Sequence, residues 1–430
     1  MRTAYLTAVI GVVAVVAWCA GCTSGASPAP SASAPASSPA SSAPSASATE
    51  PALPNRALRS PACSTATSAS GALSSARTAM FAVPGNPFGV AVTPDGRWAF
   101  VAESSGSIEV FRVAGPLTLV AVRNIPVPGT PLGETITADG RYLLAADDGG
   151  AVVISVARAV AGAAGAVAGT LTASGGAGPA GGGAIEVAVS PDGRYAFVSL
   201  EDVQRAAVFN LGKALAGGFG PADYVGAIPL GLAPVGLAVS PDGRWLYATS
   251  EIALPAAGSR PGRLNSGSGT LSVISLGRAE TDPAASVVAT VNAGCQPVRV
   301  ITSAAGTEVW VTARGSDDLL CFSAARLAAD PARALVAAVR VGEAPVGLAA
   351  VRGGSMVVVA DSNRFGAPGA RSDLDVVSVA AALSGRPAVV GHVSSGLFPR
   401  DMTVARDGTV LVSNFSSGQL EAVALGSYSP

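Results

Sequence analysis

Residues 234–250 read PVGLAVSPDGRWLYATS, two strands and the turn between them. Val235, Leu237 and Val239 alternate with Gly236, Ala238 and Ser240, the period-2 pattern of a pleated strand. Pro241, Asp242 and Gly243 then supply a tight turn. Proline presets φ, aspartate bonds forward to the backbone, and glycine tolerates positive φ. Trp245, Leu246, Tyr247 and Ala248 resume an aromatic-rich strand.

The phrase recurs. FGVAVTPDGRWAFVAES starts at Phe88, LGETITADGRYLLAADD at Leu132 and IEVAVSPDGRYAFVSLE at Ile185. Weaker copies start at Val298, Val346 and Arg400, which makes seven. Their turn glycines are Gly96, Gly140, Gly193, Gly243, Gly306, Gly354 and Gly408. A repeat of roughly 40–50 residues built from short strands is a propeller blade.

A third strand follows each phrase, as in GSIEVFRV and GTLSVISLG. A fourth follows in most, as in LVAVRNIPV and SVVATVNAG. Blade two has an Ala/Gly run over 159–183 where its fourth strand should lie, so that strand is expected to be degraded. The last repeat stops after its third strand. TAMFAV, residues 78–83, is otherwise unassigned and is expected to close the ring from the N-terminus. The fold class is therefore all-β, a seven-bladed propeller of four-stranded antiparallel blades closed by an N-terminal strand.

LYATS, VWVTARGSDDLLCFS and FVAESSGSIEVF resemble the strand–loop–strand phrase of the Tyr-Val-Thr-Asn (YVTN) repeat propellers and the related lactonase-like seven-bladed propellers. The resemblance spans about residues 78–425. It implies the fold, and it implies function only loosely, because that family is functionally mixed. Lactonase-like relatives imply carboxylate, Arg and His chemistry on a channel face.

Residues 1–22 carry Arg2 and then an apolar run ending in Ala20-Gly21-Cys22. The run is short for a membrane span and reads as a secretory signal. Ala-Gly-Cys resembles a bacterial lipobox, which implies lipidation at Cys22, although Cys19 stands where Leu is usual. Residues 23–60 are read as a disordered Ala/Ser/Pro-rich tether with little to bury. Residues 61–430 are assigned to the propeller. The expected localisation is exported and lipid-anchored to the cell membrane, on its extracytoplasmic side. The remaining cysteines are Cys63, Cys295 and Cys321. Spacing leaves connectivity open; Cys63–Cys295 is the preferred pair, because both stand in loop-like sequence while Cys321 sits in strand-like LLCFS.

Strand direction alternates outward through a blade. The D-to-A and B-to-C connections therefore share one face, and the PDG turns lie on the other. Asp95, Asp139, Asp192 and Asp242 of those turns are read as structural. Aligning the innermost strands puts Gly89, Gly133, Glu186, Gly236, Arg299, Gly347 and Asp401 in register. The four glycines are expected to keep the channel mouth open. The three charged residues break the pattern, with Glu134 and Arg400 beside them. Charges on an inner rim need water, a partner or a ligand. Two readings stand: a polar ligand held at the channel mouth by Glu186, Arg299, Arg314, Arg400 and Asp401, or a salt-bridge set of Arg299 with Glu186 or Asp401 that ties blades together. Long B-to-C loops at 251–269 and 361–373 face the same way.

Net charge is −1, so no nucleic-acid footprint is expected. The one histidine, His392, lies in an expected outer strand without a ligand partner, so neither a metal nor another cofactor is expected. No catalytic constellation stands out. The functional expectation is a non-catalytic binding or scaffolding module at the cell surface, taking a protein or a small anionic ligand at the D–A/B–C loop face. The alternatives are a lactonase-like hydrolase working on the channel face and a structural envelope protein.

Overall fold

The computed structural model describes residues 53–54, 58–63, 70–173, 182–254, 267–366 and 372–426. Within them the chain forms seven four-stranded antiparallel sheets, the blades of a propeller. The innermost strands are Pro87–Val92, Glu134–Ile136, Ala184–Val189, Leu232–Val239, Pro297–Thr302, Pro345–Val351 and Pro399–Val404. The apolar faces of neighbouring blades close on one another and bury Phe100, Phe197, Phe209, Phe322, Tyr247 and Trp310. Burial of that kind is the main stabilising term of the ring.

The PDG turns follow from their side chains. In blade one the Thr93 hydroxyl donates to Asp95 at 2.5 Å, and the Arg97 N–H donates to the same carboxylate at 3.0 Å. Blades two, three and four repeat this with Asp139, Asp192 and Asp242. These four aspartates are turn formers. Arg141, Arg194 and Arg244 stack over the aromatic residue that follows each of them.

Two details differ from the sequence reading. Blade two keeps its outer strand, Val167–Thr172, inside the Ala/Gly run. There, sheet pairing outweighs the low strand propensity of Ala and Gly. Five short helices also fill the connections between third and fourth strands: Val156–Ala161, Leu211–Gly217, Leu276–Ala279, Ala324–Ala329 and Val379–Ser384. Ser155, Asn210, Ser323 and Ser378 cap four of them through side-chain oxygens.

Blade seven takes its outer strand, Arg77–Ala82, from the N-terminal side. It pairs antiparallel with Gln419–Ala424, with Thr78 opposite Val423 and Phe81 opposite Leu420. The segment before it is laid along outer strands. Leu53 packs against core shared by blades five and six, and the Leu58 N–H donates to the Leu335 carbonyl at 3.0 Å. Cys63 is joined to Cys295 in a disulfide with Cα atoms 5.4 Å apart. Cys321 is free and buried. Leu53 and Leu58, within the stretch read as tether, thus have apolar core to pack against. The signal peptide, Cys22 and the tether through residue 52 lie outside the described residues.

Candidate functional site

A β-bulge positions the channel residues. In six blades the register between the first and second strands shifts at the start of the inner strand, as between Ala184 and Val187, Pro297 and Val300, or Pro399 and Asp401. A bulge bends the strand and re-aims its side chains. A hydroxyl from the second strand fixes each re-aimed residue. Ser199 accepts the Glu186 N–H at 3.0 Å and donates to the Val235 carbonyl of the next blade at 2.8 Å. Thr312 does the same for Arg299 and Val346, and Ser413 for Asp401 and Phe88. These are the Thr and Ser of the repeated strand phrase, and they stitch blade to blade at the channel wall.

The glycines in the same register have another role than the one expected. A Cβ on Gly89 would lie 2.5 Å from the Leu132 carbonyl, and one on Gly236 would lie 2.3 Å from that of Val298. They let adjacent inner strands approach; they do not hold the channel open. On the loop side, Phe88, Ile185, Val235, Val298 and Val346 converge on the axis as one apolar cluster, with Leu132, Phe398 and Phe415 against it.

The five sequence candidates divide around this apolar ring. Glu186, Arg299 and Asp401 meet beneath it. Arg299 Nη1 lies 2.9 Å from Glu186 Oε2, and its Nε lies 3.7 Å from Asp401 Oδ1. Burial raises the Glu186 carboxyl, Arg299 opposes that shift and Asp401 adds to it. Burial likewise raises Asp401 against the pull of Arg299. These three residues, with Glu134, line a cavity of about 320 Å³. Its other walls include Val92, Pro94, Ile136, Thr137 and Ile301, so it runs from the charged layer toward the face of the PDG turns. That is the face opposite the one expected.

Arg400 and Arg314 stay on the loop face. Arg400 packs its guanidinium over Phe88 at 3.7 Å, with the Phe398 and Phe415 rings at 5.3 and 5.6 Å. No carboxylate among the described residues forms an ion pair with it, and its Nε has no hydrogen-bond partner. Burial, with Arg299, Arg364 and Arg314 nearby, pushes its pKa down to about 9, which leaves it cationic at neutral pH. Arg314 is held at 2.8 Å by Glu251 and lies over Phe365 at 5.9 Å. Arg314, with Arg364 and Glu201, lines a loop-face pocket of about 810 Å³. The loop segments 255–266 and 367–371 lie outside the described residues.

Sequence reasoning undervalued two things. Glu134 stands where the six sister positions are Val90, Val187, Leu237, Val300, Leu348 and Met402, which is a legible signal. Glu103, Asp147 and Asp361 end second strands beside loops, where an acid is commonly solvated, and all three are buried. Glu103 accepts from Ser107 and Asn124, and Asp147 accepts the Thr130 N–H. His392 sits on the outer strand Val389–Ser394, with Ser70 at 3.0 Å from Nδ1. Among the described residues, no group of three or more His, Cys, Asp or Glu is placed to hold a metal ion.

A family profile described as "Lactonase, 7-bladed beta-propeller" matches residues 62–364. Among solved structures, Kuenenia stuttgartiensis hydrazine synthase is similar, with a TM-score of 0.59 and 16% identity over 80% of this chain and 96% of that one. At that identity the likeness is one of fold. No curated protein matches the chain.

Proposed function

The chain belongs to the seven-bladed β-propeller Lactonase family, and we propose that it acts as an exported, lipid-anchored, non-catalytic binding module that grips an anionic group at its loop face. Arg400 is the observation that carries the reading. A guanidinium largely removed from water, without an ion-pair partner and set in a box of three phenylalanines, is costly to hold empty. An incoming carboxylate or phosphate would supply the missing acceptor. Arg364, over Phe398 at 5.7 Å, and Arg314 would flank it. Arg299 is a poorer anchor than its sequence position suggests, since Glu186 and Asp401 already neutralise it. The hydrolase reading has no histidine to draw on here, because the chain's one histidine lies on an outer strand, and would have to use a carboxylate such as Glu201 as its base. Titrating inorganic phosphate and acetate against the wild type and Arg400→Met tests the proposal. Saturable binding lost in the variant supports it; equal response of the two proteins overturns it. Export and anchoring rest on the sequence through Cys22. Mass spectrometry of the mature N-terminus tests them, with a diacylated Cys22 expected and an unmodified or uncleaved N-terminus overturning the anchor.

A further inference from the structure

The charged layer beneath the apolar ring holds three carboxylates, Glu134, Glu186 and Asp401, against one guanidinium, Arg299. Two carboxylates share that guanidinium and Glu134 has no share in it. Glu134 is 6% exposed, lines the cavity, and has neither oxygen in hydrogen-bond geometry with a donor. The N–H groups of Ala91 and Ala102 are the donors that favour its charged form, and burial with Asp401 outweighs them. An unpartnered carboxylate in a polar cavity needs a proton or a cation. Toward the PDG face the walls combine Val92, Ile136 and Ile301 with Thr135, Thr137 and Thr403. The arrangement is an acidic pocket behind a sleeve of aliphatic and threonine side chains.

We propose that this chamber binds a primary alkylammonium ion, its head on Glu134 between Glu186 and Asp401 and its short tail in the sleeve. An ammonium carries three donors and no acceptor, which suits three carboxylates gathered around one small volume. A carboxylate ligand would meet net negative charge here, and an alcohol, which brings no charge to pair with a carboxylate, would leave Glu134 protonated and gain only a neutral hydrogen bond. Arg299 Nε and Nη2 lack hydrogen-bond partners, with Nε 3.7 Å from Asp401, so a hydroxyl beside the head group is tolerated but not required.

Binding is linked to protons. The charged groups acting on Glu134 are Asp401 from blade seven and Glu186 from blade three, both paired with Arg299 of blade five; Arg400 acts on those two from the other side of the apolar ring, and blades one, four and six bring Gly89, Gly236 and Gly347 to that level. Burial, then Asp401, then Glu186 hold the Glu134 carboxyl well above its ordinary range. The empty chamber therefore keeps that proton, and an entering ammonium displaces it. Affinity should rise with pH until the amine itself deprotonates.

Calorimetric titration of the full chain with hexylammonium chloride, sodium hexanoate and hexanol tests this. Hexylammonium should bind with one site and release protons, seen as a buffer-dependent enthalpy. Hexanoate should not bind, and hexanol should bind far more weakly. Glu134→Gln, close in shape, should weaken hexylammonium by about tenfold to a hundredfold, the range for one charged hydrogen bond. Thr403→Trp plugs the sleeve with every charge in place and should abolish binding. It carries the test if Glu134→Gln fails to fold. No saturable hexylammonium binding by the wild type, equal binding by either folded variant, or equal binding of hexanol would overturn the proposal.

Discussion

The guanidinium of Arg299 lies 2.9 Å from the carboxylate of Glu186, which belongs to a blade two positions away round the ring. On its other side Asp401 lies at 3.7 Å, again two blades distant. One side chain thus spans the axis and ties blades three, five and seven together. The brace reading that the sequence left open has this geometry behind it.

Arg299→Met should therefore lower stability. Removing one partner of a buried pair costs about 3–5 kcal/mol, because it strands the other charge. Glu186 and Asp401 can relieve that cost by taking protons, so the loss should shrink at about pH 5 relative to about pH 8. Urea unfolding of variant and wild type at both values measures this. A variant as stable as wild type at the higher pH would show that the contact does not brace the ring.

Buried carboxyls should make the protein prefer mild acid. Burial raises Glu134 and Asp361 well above the usual range and lifts Asp147 and Asp318 to about 6. For each, the folded state holds its proton more tightly than the unfolded chain. Their contribution is full below the ordinary carboxylate pKa of about 4 and is lost as pH climbs through the folded value. For Asp147 and Asp318 the loss falls between about 4 and 6, and for the other two it extends higher. The exposed turn residues Asp95 and Asp242 are lowered by hydrogen bonds from Thr93 and Ser240, so they lose their contribution only at lower pH. Scanning calorimetry should show Tm falling from about pH 5 to about pH 8. A rising Tm over that span would contradict the burial of these groups.

The Cys63–Cys295 bond closes a loop with a sequence separation of 232. Its removal should cost about 2–5 kcal/mol, mostly by freeing the unfolded chain. Denaturation of Cys63→Ser under oxidising conditions reads this directly. An unchanged midpoint would mean that the contacts of Leu53 and Leu58 hold the segment without it.

Deleting residues 77–82 should do more than lower Tm. It uncovers the edge of Gln419–Ala424 and buried neighbours such as Leu420, an invitation to pair with another chain. Light scattering should show association of the truncated protein; a monodisperse product of undiminished Tm would refute that role for the strand.

Much of this architecture was legible because blade geometry is written locally. The PDG turns carry their own hydrogen bonds, and the strand phrase carries the Ser or Thr that stitches neighbouring blades. What was not legible depends on bulges. A bulge at Ala184–Val187 or Pro297–Val300 changes which way Glu186 or Arg299 points, and a strand-period reading assumes strict alternation. That is why four charges in adjacent register on inner strands, with Arg314 on the neighbouring loop, looked like one site. The structure puts Arg314 and Arg400 on one side of an apolar ring and Glu186, Arg299 and Asp401 on the other. The helices after the third strands escaped notice because each is only one or two turns long, below the length at which helical periodicity shows.

The seam in blade seven has a consequence for how the molecule comes into being. Residues 77–82 are made first among the propeller strands, yet their partners, 419–424, are made last. Until synthesis is nearly complete, the earliest strand has no sheet to join, and the six finished blades form an open arc with two unpaired ends. Pairing across so many residues is slow to find. The ring is a latch that only a finished chain can fasten, and any truncation before Gln419 leaves it unfastened.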